Sequence, residues 1–176
     1  QACTGALESF SFLHMGHKGL IEQRGGASLP LITPFFETEG ERASLQSLTW
    51  GRKSDWIPTF CGTAGSLAVE GMLLAPVGER CFLYQLTVRS TSDKPLSSTF
   101  GLEGCWASAW HCVNEDKEID GARRCYTSLW NDSLIFDMRC GLPLFAFAPM
   151  MDQPCSSTFQ ETDAGIVYRL AHACTL

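Results

Sequence analysis

The most regular feature of the chain is the alternation of apolar and polar residues. Apolar side chains take most alternate positions over residues 67–73, over 82–88 and, less strictly, over 96–102. Because successive side chains of a strand point to opposite faces of a sheet, this period of two predicts half-buried β-strands. The intervening segments APVGER (75–80) and STSDKP (90–95) are rich in turn-forming residues. The central part of the chain is therefore predicted to consist of strands joined by short turns.

Weaker patterns predict further strands on both sides of this central part. These strands cover residues 9–14, 19–23, 31–36, 44–51, 125–130, 133–139, 142–150 and 165–171. Segments 37–44, 114–124 and 152–164 are polar and are predicted to be exposed loops. Segment 142–150 is apolar on both faces, so we expect its strand to lie centrally in a sheet. The whole pattern predicts about nine to eleven strands, with turn signals every ~8–12 residues and no amphipathic helix.

Short strands in series, joined by hairpins, predict an antiparallel sheet, and this many strands need two packed layers to bury their inner faces. We therefore expect an all-β fold, a large antiparallel β-sandwich. The length of 176 residues suits a single domain covering residues 1–176. The chain starts at Gln1 and stops inside the apolar pattern LAHACTL. We expect it to be a fragment of a longer polypeptide.

Composition and charge limit the kinds of partner that the chain is expected to bind. Hydrophobic residues make up 45% and charged residues only 18%, which argues against disorder. The formal charge of −6, with no Lys/Arg cluster longer than the pair Arg123–Arg124, disfavours a nucleic-acid surface. No apolar stretch approaches the ~20 residues of a membrane-spanning helix. We expect neither nucleic acid nor membrane as a partner.

The nine cysteines are an odd number at wide, irregular spacing. A disulfide scaffold is usually a shorter chain with tighter spacing, so buried reduced thiols are the favoured interpretation, with some disulfides as the alternative. Zinc is disfavoured because no Cys-x-x-Cys occurs and because His14 and His17 lie in a segment predicted to be extended. We expect no metal and no cofactor. The cysteine pattern favours a reducing, cytoplasmic location.

No motif in the sequence identifies a reaction. Gly-x-Ser-x-Gly is absent, and no glycine-rich turn follows a strand and opens a helix. His111 and Cys112 are adjacent in a predicted strand, so their side chains point to opposite faces and cannot form a nucleophile–base pair. Of the carboxylates near strands, Glu70, Asp132 and Asp137 are interpreted as solvated charges. We predict no catalytic residue.

The segment GLEGCWASAWHC (101–112) is the strongest candidate for ligand contact. Trp106 and Trp110 are four residues apart, so an unbroken strand would place both on one face and Glu103 on the other. Exposed tryptophan rings stack on the apolar faces of sugars, and a nearby carboxylate accepts hydrogen bonds from hydroxyls. The alternative is that these rings fill the core or an interface. The later Trp130 ends the predicted strand 125–130.

Two long stretches resemble a known family. They are GSLAVEGMLLAPVGERCFLYQLTVRSTSDKPLSSTFGLEGCW (65–106) and DGARRCYTSLWNDSLIFDMRCGLPLFAFAPMMD (120–152). These stretches resemble the N-terminal β-supersandwich domain of certain bacterial glycoside hydrolases, which precedes a catalytic toroid of α-helical hairpins. The resemblance covers about half of the chain and rests on strands and turns rather than on an active-site motif. It implies that the acid and base are supplied by a helical catalytic domain that this chain does not contain.

Three functional hypotheses follow. The first is a non-catalytic accessory domain of a carbohydrate-active enzyme, which packs on the helical catalytic domain and helps to shape an oligosaccharide site. The second is a self-standing carbohydrate-binding module. The third is a mutarotase-like sugar epimerase, for which Glu103 and His111 are the nearest acid–base candidates. The predicted substrate-binding residues are Glu103, Trp106, Trp110 and His111.

Overall fold

A computed structural model of the chain describes residues 4–14, 19–113, 116–150 and 154–176. Over these residues the fold is all-β, its sheets are antiparallel, and it contains no helix. The predicted all-β, antiparallel class is therefore confirmed. No helix suited to crossing a membrane is found in the described part of the chain. His17, and Cys3 among the nine cysteines, lie outside the described residues.

The described residues form sixteen strands. In chain order they are β1 (Ser9–His14), β2 (Gly19–Arg24), β3 (Thr33–Thr38), β4 (Glu41–Ala43), β5 (Leu45–Lys53), β6 (Ile57–Ala64), β7 (Leu67–Leu74), β8 (Leu83–Ser90), β9 (Ser97–Trp106), β10 (Ser108–His111), β11 (Lys117–Glu118), β12 (Arg124–Thr127), β13 (Leu134–Asp137), β14 (Phe145–Phe147), β15 (Ser156–Thr162) and β16 (Gly165–Thr175).

These strands form four small sheets, with strand orders β1-β2-β10-β11, β12-β13-β14, β15-β16-β9-β3-β4 and β5-β6-β7-β8. The predicted single large sandwich is therefore wrong. The sequence patterns locate strands and turns, but they do not show where the chain passes from one sheet to another. Such a passage occurs at Ala107, which separates β9 from β10 and leaves them in different sheets.

The chain divides into two compact units. Unit 1 consists of Pro34–Gly101 with the end segments Gln1–Gly5 and Ala173–Leu176. Unit 2 consists of Ala6–Thr33 and Leu102–His172.

The core of unit 1 lies on one face of the β5-β6-β7-β8 sheet. Phe60 of β6 and Leu67 and Val69 of β7 are buried there. Partly buried side chains of β8, including Tyr84, pack against this cluster. The period-two pattern predicted this face of β7 and β8, because each strand has one side in the core and the other in solvent. Cross-strand pairing sets the register, with Phe60 opposite Gly71 and Val69 opposite Val88.

The core of unit 2 is built from aromatic rings. Trp106, at the end of β9, makes edge contacts with Phe136 and Phe145, at ring-centroid distances of 5.6 and 5.1 Å. Phe136 also contacts Tyr168 of β16 at 5.4 Å. The Tyr168 hydroxyl donates a hydrogen bond of 2.6 Å to the carbonyl oxygen of Leu31. Such edge-to-face pairs contribute about 0.5–1.5 kcal/mol each beyond their buried area.

Four details of the predicted secondary structure are wrong. The predicted loop 114–124 contains the short strand β11 and the first residue of β12. The predicted loop 37–44 contains the end of β3 and all of β4, joined by a tight turn at Glu39 and Gly40, both with positive φ. The predicted loop 152–164 contains β15, which is exposed along almost its whole length and therefore lacks an apolar face. The segment 142–150 was expected to lie centrally, but its strand β14 is at the edge of the three-stranded sheet.

The closest packing around β9 generates a stability prediction. A Cβ at Gly104 would overlap the Leu31 carbonyl oxygen and come within 2.9 Å of the Tyr168 hydroxyl. We therefore expect Gly104→Ala to lower the free energy of unfolding by about 1–3 kcal/mol or more, because overpacking a filled core is destabilising by this amount. Urea denaturation monitored by tryptophan fluorescence measures this change.

Gly51→Ala is the matched control. A Cβ at Gly51 would meet only the Thr59 hydroxyl, at 3.2 Å, on an exposed strand. We expect it to change the free energy of unfolding by less than about 0.5 kcal/mol. Equal effects of the two substitutions would contradict the close approach of Gly104 to Leu31.

Candidate functional site

Trp106 belongs to the core of unit 2. It is 1% exposed, and its indole N–H donates a hydrogen bond of 2.7 Å to the side-chain oxygen of the buried Gln23. Its ring packs against the core phenylalanines Phe136 and Phe145. Trp106 therefore fills the core, which was the alternative to a sugar contact, and its ring has no face open to a ligand.

Trp110 lies on a different sheet from Trp106. The expectation of one shared face is wrong, because Ala107 interrupts the strand and places Trp110 on β10, beside β2. Trp110 is only partly buried, and the Arg24 guanidinium lies over its ring at 4.3 Å from the ring centroid. This cation–π contact occupies one ring face. The indole N–H donates to the Ser108 hydroxyl at 2.9 Å.

A hydrogen-bonded polar cluster surrounds Trp110. Arg24 Nε donates to Glu22 Oε2 at 2.6 Å, and the Ser9 hydroxyl donates to the other Glu22 oxygen. The Cys112 thiol also donates to Glu22, at 3.5 Å. The hydrogen bond from Ser9 is the largest effect that holds the pKa of Glu22 below its usual value. Burial and the neighbouring carboxylates raise the pKa of Cys112, so this thiol stays protonated and is a poor nucleophile.

His111 points away from this cluster, because it is the strand neighbour of Trp110. It pairs in register with Ile21 of β2 and Lys117 of β11, and its ring lies against Gly19. Glu103 lies on β9, in another sheet. The even spacing of Glu103 and His111 therefore does not place them on one face, since the strand between them is interrupted.

Glu103 lines an open groove on the solvent side of β9, β15 and β16. Its neighbour Gly104 faces the Tyr168 hydroxyl in the core, so Glu103 points to the opposite face. For the same reason the neighbours of Tyr168 on β16, Val167 and Arg169, also face the groove. The groove has a volume of about 390 Å³. Its lining includes Leu29, Glu103, Thr158, Gln160, Val167 and Arg169.

The Glu103 groove combines hydrogen-bonding groups of every kind. Glu103 supplies a carboxylate, Arg169 a guanidinium, Gln160 an amide and Thr158 a hydroxyl. Thr158 pairs with Arg169 across the β15–β16 hairpin, so these two side chains are adjacent on one face. Such a set can bind a small polar ligand through several directional contacts.

A second depression lies on the polar face of the β5-β6-β7-β8 sheet in unit 1. It has a volume of about 550 Å³. Two cross-strand rows contribute to it, Thr49–Cys61–Glu70–Thr87 and Gly51–Thr59–Met72–Gln85. Glu70 is engaged by Arg89 at 3.7 Å. Its polar rows and its ion pair are typical of a solvent-exposed sheet face.

Sequence reasoning found one residue of the Glu103 groove and missed the rest. Thr158 and Gln160 lie in the predicted loop 152–164, because β15 has no apolar face to produce an alternating pattern. Arg169 was identified only as an outward position of the last strand. The signal that was available is the alternation of Ile166, Tyr168 and Leu170, because it fixes the outward direction of Arg169.

All the cysteines that the structure describes are free thiols. Cys61 and Cys81 are exposed, whereas Cys105 and Cys125 are buried. Burial is the largest effect on Cys125 and raises its pKa to about 12. Among the described residues, no group of three or more His, Cys, Asp or Glu side chains is placed to hold a metal ion.

Comparisons with known proteins do not assign this chain to a protein family. No family model, curated protein or solved structure matches it. The geometry of the described residues is therefore the basis for a functional proposal.

The Glu22 cluster generates a prediction about pH. A lowered carboxyl pKa stabilises the fold above the usual Glu pKa, and this contribution is lost as the pH falls through the folded-state value. Ser9→Ala removes a donor to the carboxylate, so we expect the pKa of Glu22 to rise and the loss of stability to be larger at neutral pH than in acid. Carboxyl ¹³C NMR titration measures the pKa of Glu22. Urea denaturation at neutral and at acid pH measures the loss of stability. Ser11→Ala, on the same strand, is the control; an unchanged Glu22 pKa in Ser9→Ala would contradict the geometry.

The thiols generate a second prediction. We expect a thiol reagent at neutral pH to modify Cys61 and Cys81 first, because exposure controls access to the thiolate. Cys105 and Cys125 should react only after unfolding. Mass spectrometry of peptides from briefly alkylated native protein identifies the order. Early modification of Cys125 would contradict its burial.

Proposed function

We propose that the chain is a non-catalytic β-structured module of a carbohydrate-active enzyme and that it binds a neutral oligosaccharide in the Glu103 groove. The observation that carries this proposal is the convergence of Glu103, Arg169, Thr158 and Gln160 on one exposed sheet face. The catalytic residues belong to a separate helical domain in this proposal.

The chemistry of the groove suits sugar hydroxyls. A hydroxyl donates one hydrogen bond and accepts others, so a site that contains both carboxylate and guanidinium groups satisfies it in both roles. Leu29 and Val167 provide apolar surface for the C–H faces of a sugar ring. The volume of about 390 Å³ lies in the range of small-molecule sites.

Charge favours a neutral ligand over an anionic one. Glu103 and Arg169 have opposite charges, so the groove carries no excess of positive charge to hold a phosphate or a uronic acid. The chain as a whole has a formal charge of −6. A polyanion would be repelled at long range.

The geometry bears differently on the other two hypotheses, the sugar epimerase and the self-standing carbohydrate-binding module. The mutarotase-like epimerase needs His111 and Glu103 at one site, and they lie on strands of different sheets, so we do not propose it. A self-standing carbohydrate-binding module would use the same groove. The accessory-domain proposal keeps the sequence-based expectation that a helical catalytic domain supplies the acid and base. The four small sheets differ from the single sandwich that the resemblance implied, so the groove and not the fold supports the proposal.

The proposal predicts which substitutions abolish binding. We expect calorimetric titration with a panel of neutral gluco-, xylo-, manno- and galacto-oligosaccharides to identify a ligand. Glu103→Gln and Arg169→Met should then weaken its binding by about tenfold or more, because each removes a charged hydrogen-bonding partner. Glu41→Gln, on an exposed strand of unit 1, is the control and should leave the affinity unchanged.

Two results would contradict the proposal. Wild-type affinity in both groove variants, with native circular dichroism spectra, would place the ligand elsewhere. Hydrolysis of any of these oligosaccharides by the purified chain would show that the chain is itself catalytic.

A further inference from the structure

The outer face of the β12-β13-β14 sheet is apolar and exposed. Phe136 and Phe145 pair in register and stack in the core of unit 2, so the residues that alternate with them face outward. One outward row runs across the sheet from Tyr126 through Ile135 to Ala146. Tyr126 is 39% exposed, and Ala146 is also exposed. This sheet therefore presents apolar side chains to solvent on the side opposite to its core.

The segment 142–150 supplies much of this apolar surface. Its phenylalanines Phe145 and Phe147 take part in the aromatic core. The residues that alternate with these two are apolar and exposed, namely Leu144, Ala146, Ala148 and Met150. Apolar residues on both faces are typical of a strand that is covered on both sides. The outer face of this segment therefore has the composition of a buried surface.

The turn between β12 and β13 adds further exposed apolar side chains at one end of this sheet. Trp130 lies in this turn and not at the end of a strand as predicted. It is 96% exposed, and the preceding Leu129 is 100% exposed. β14 runs towards this turn, because Phe147 pairs with Leu134, the first residue of β13, and the exposed Met150 follows in that direction. Exposed apolar residues therefore continue from the sheet face to the turn.

The exposed apolar area is large enough for a stable interface. The five large side chains of this face and of the turn together expose roughly 600–900 Å², at about 150–250 Å² for each fully exposed side chain. They are Tyr126, Leu129, Trp130, Leu144 and Met150. The largest apolar patch of a typical monomer is about 300–600 Å², and each partner of a standard interface contributes about 800 Å². The area therefore matches what a stable dimer needs.

The charged residues of this face are neutralised within the chain. Arg124 and Asp137 pair in register across β12 and β13. Arg124 forms an ion pair of 2.9 Å with Glu161, and the Asp137 carboxylate lies 3.7 Å from the Arg139 guanidinium. A second copy on this face therefore meets no unpaired charge, although each chain has a formal charge of −6. An apolar, neutral face suits a partner surface of the same kind, and the same face of a second copy is such a surface.

We propose that the outer face of the β12-β13-β14 sheet is the interface of a symmetric homodimer, in which this face packs on the same face of a second copy. Closed two-fold dimers are the commonest assemblies of soluble proteins, and they need only one self-complementary patch. The second copy supplies the covering layer that a segment with two apolar faces requires. This inference goes beyond the proposed function. The Glu103 groove lies on another sheet, so association and sugar binding can be measured separately.

Sedimentation velocity of the complete chain tests the inference. We expect the wild type to form a dimer whose fraction rises between about 1 and 200 μM, as for an interface of standard size. Ala146→Asp should weaken the dimer by about tenfold or more, because it buries an unpaired charge in an apolar interface. Leu144→Asp should do the same. Both positions are exposed in the single chain, so we expect native circular dichroism spectra.

Ala173→Asp is the matched control, since Ala173 is an exposed alanine on β16, outside this sheet. It should dimerise as the wild type does, and an equal loss in this variant would overturn the proposal by indicating a general effect of charge. A wild-type chain that stays monomeric at every concentration would also overturn it, as would a dimer that neither Ala146→Asp nor Leu144→Asp weakens. Assemblies that grow beyond the dimer would contradict a closed two-fold interface.

Discussion

The structure of unit 2 depends on the hydrogen bond from the Tyr168 hydroxyl to the Leu31 carbonyl. Both groups are buried, so loss of either partner would leave an unsatisfied polar group, at a cost of about 1–3 kcal/mol. The bond fixes the direction of β16, because a side chain that reaches Leu31 must point into the core. Gly104 allows this arrangement, since no side chain separates β9 from the Leu31 backbone.

The candidate site follows from this constraint. With Tyr168 directed inward, the alternation of a strand turns Val167 and Arg169 outward. The same alternation at Gly104 turns Glu103 outward, and the β15–β16 pairing adds Thr158 beside Arg169. The groove is therefore the solvent side of a sheet whose other side is an aromatic core. A site on paired strands holds its side chains more precisely than a site on loops.

The sequence predicted the strands that have one buried and one exposed face. Period-two alternation located β7, β8 and β16, and it identified Tyr168 as an inward position and Arg169 as an outward one. It could not locate β15, because a strand exposed on both faces has no alternating pattern, and most of the groove was missed for that reason. It also could not show that Ala107 interrupts a strand, so Trp106 and Trp110 were placed on one face. Such interruptions depend on packing between distant segments, which local patterns do not record.

The most direct test of the account is NMR mapping of the groove. Backbone amide resonances of the ¹⁵N-labelled chain are followed as a neutral hexasaccharide of the best-bound linkage is added. We expect the largest shifts at the residues that line the groove, which are Glu103, Thr158, Gln160 and Arg169. Shifts confined to the polar face of the β5-β6-β7-β8 sheet, or their absence for every oligosaccharide of the panel, would contradict it.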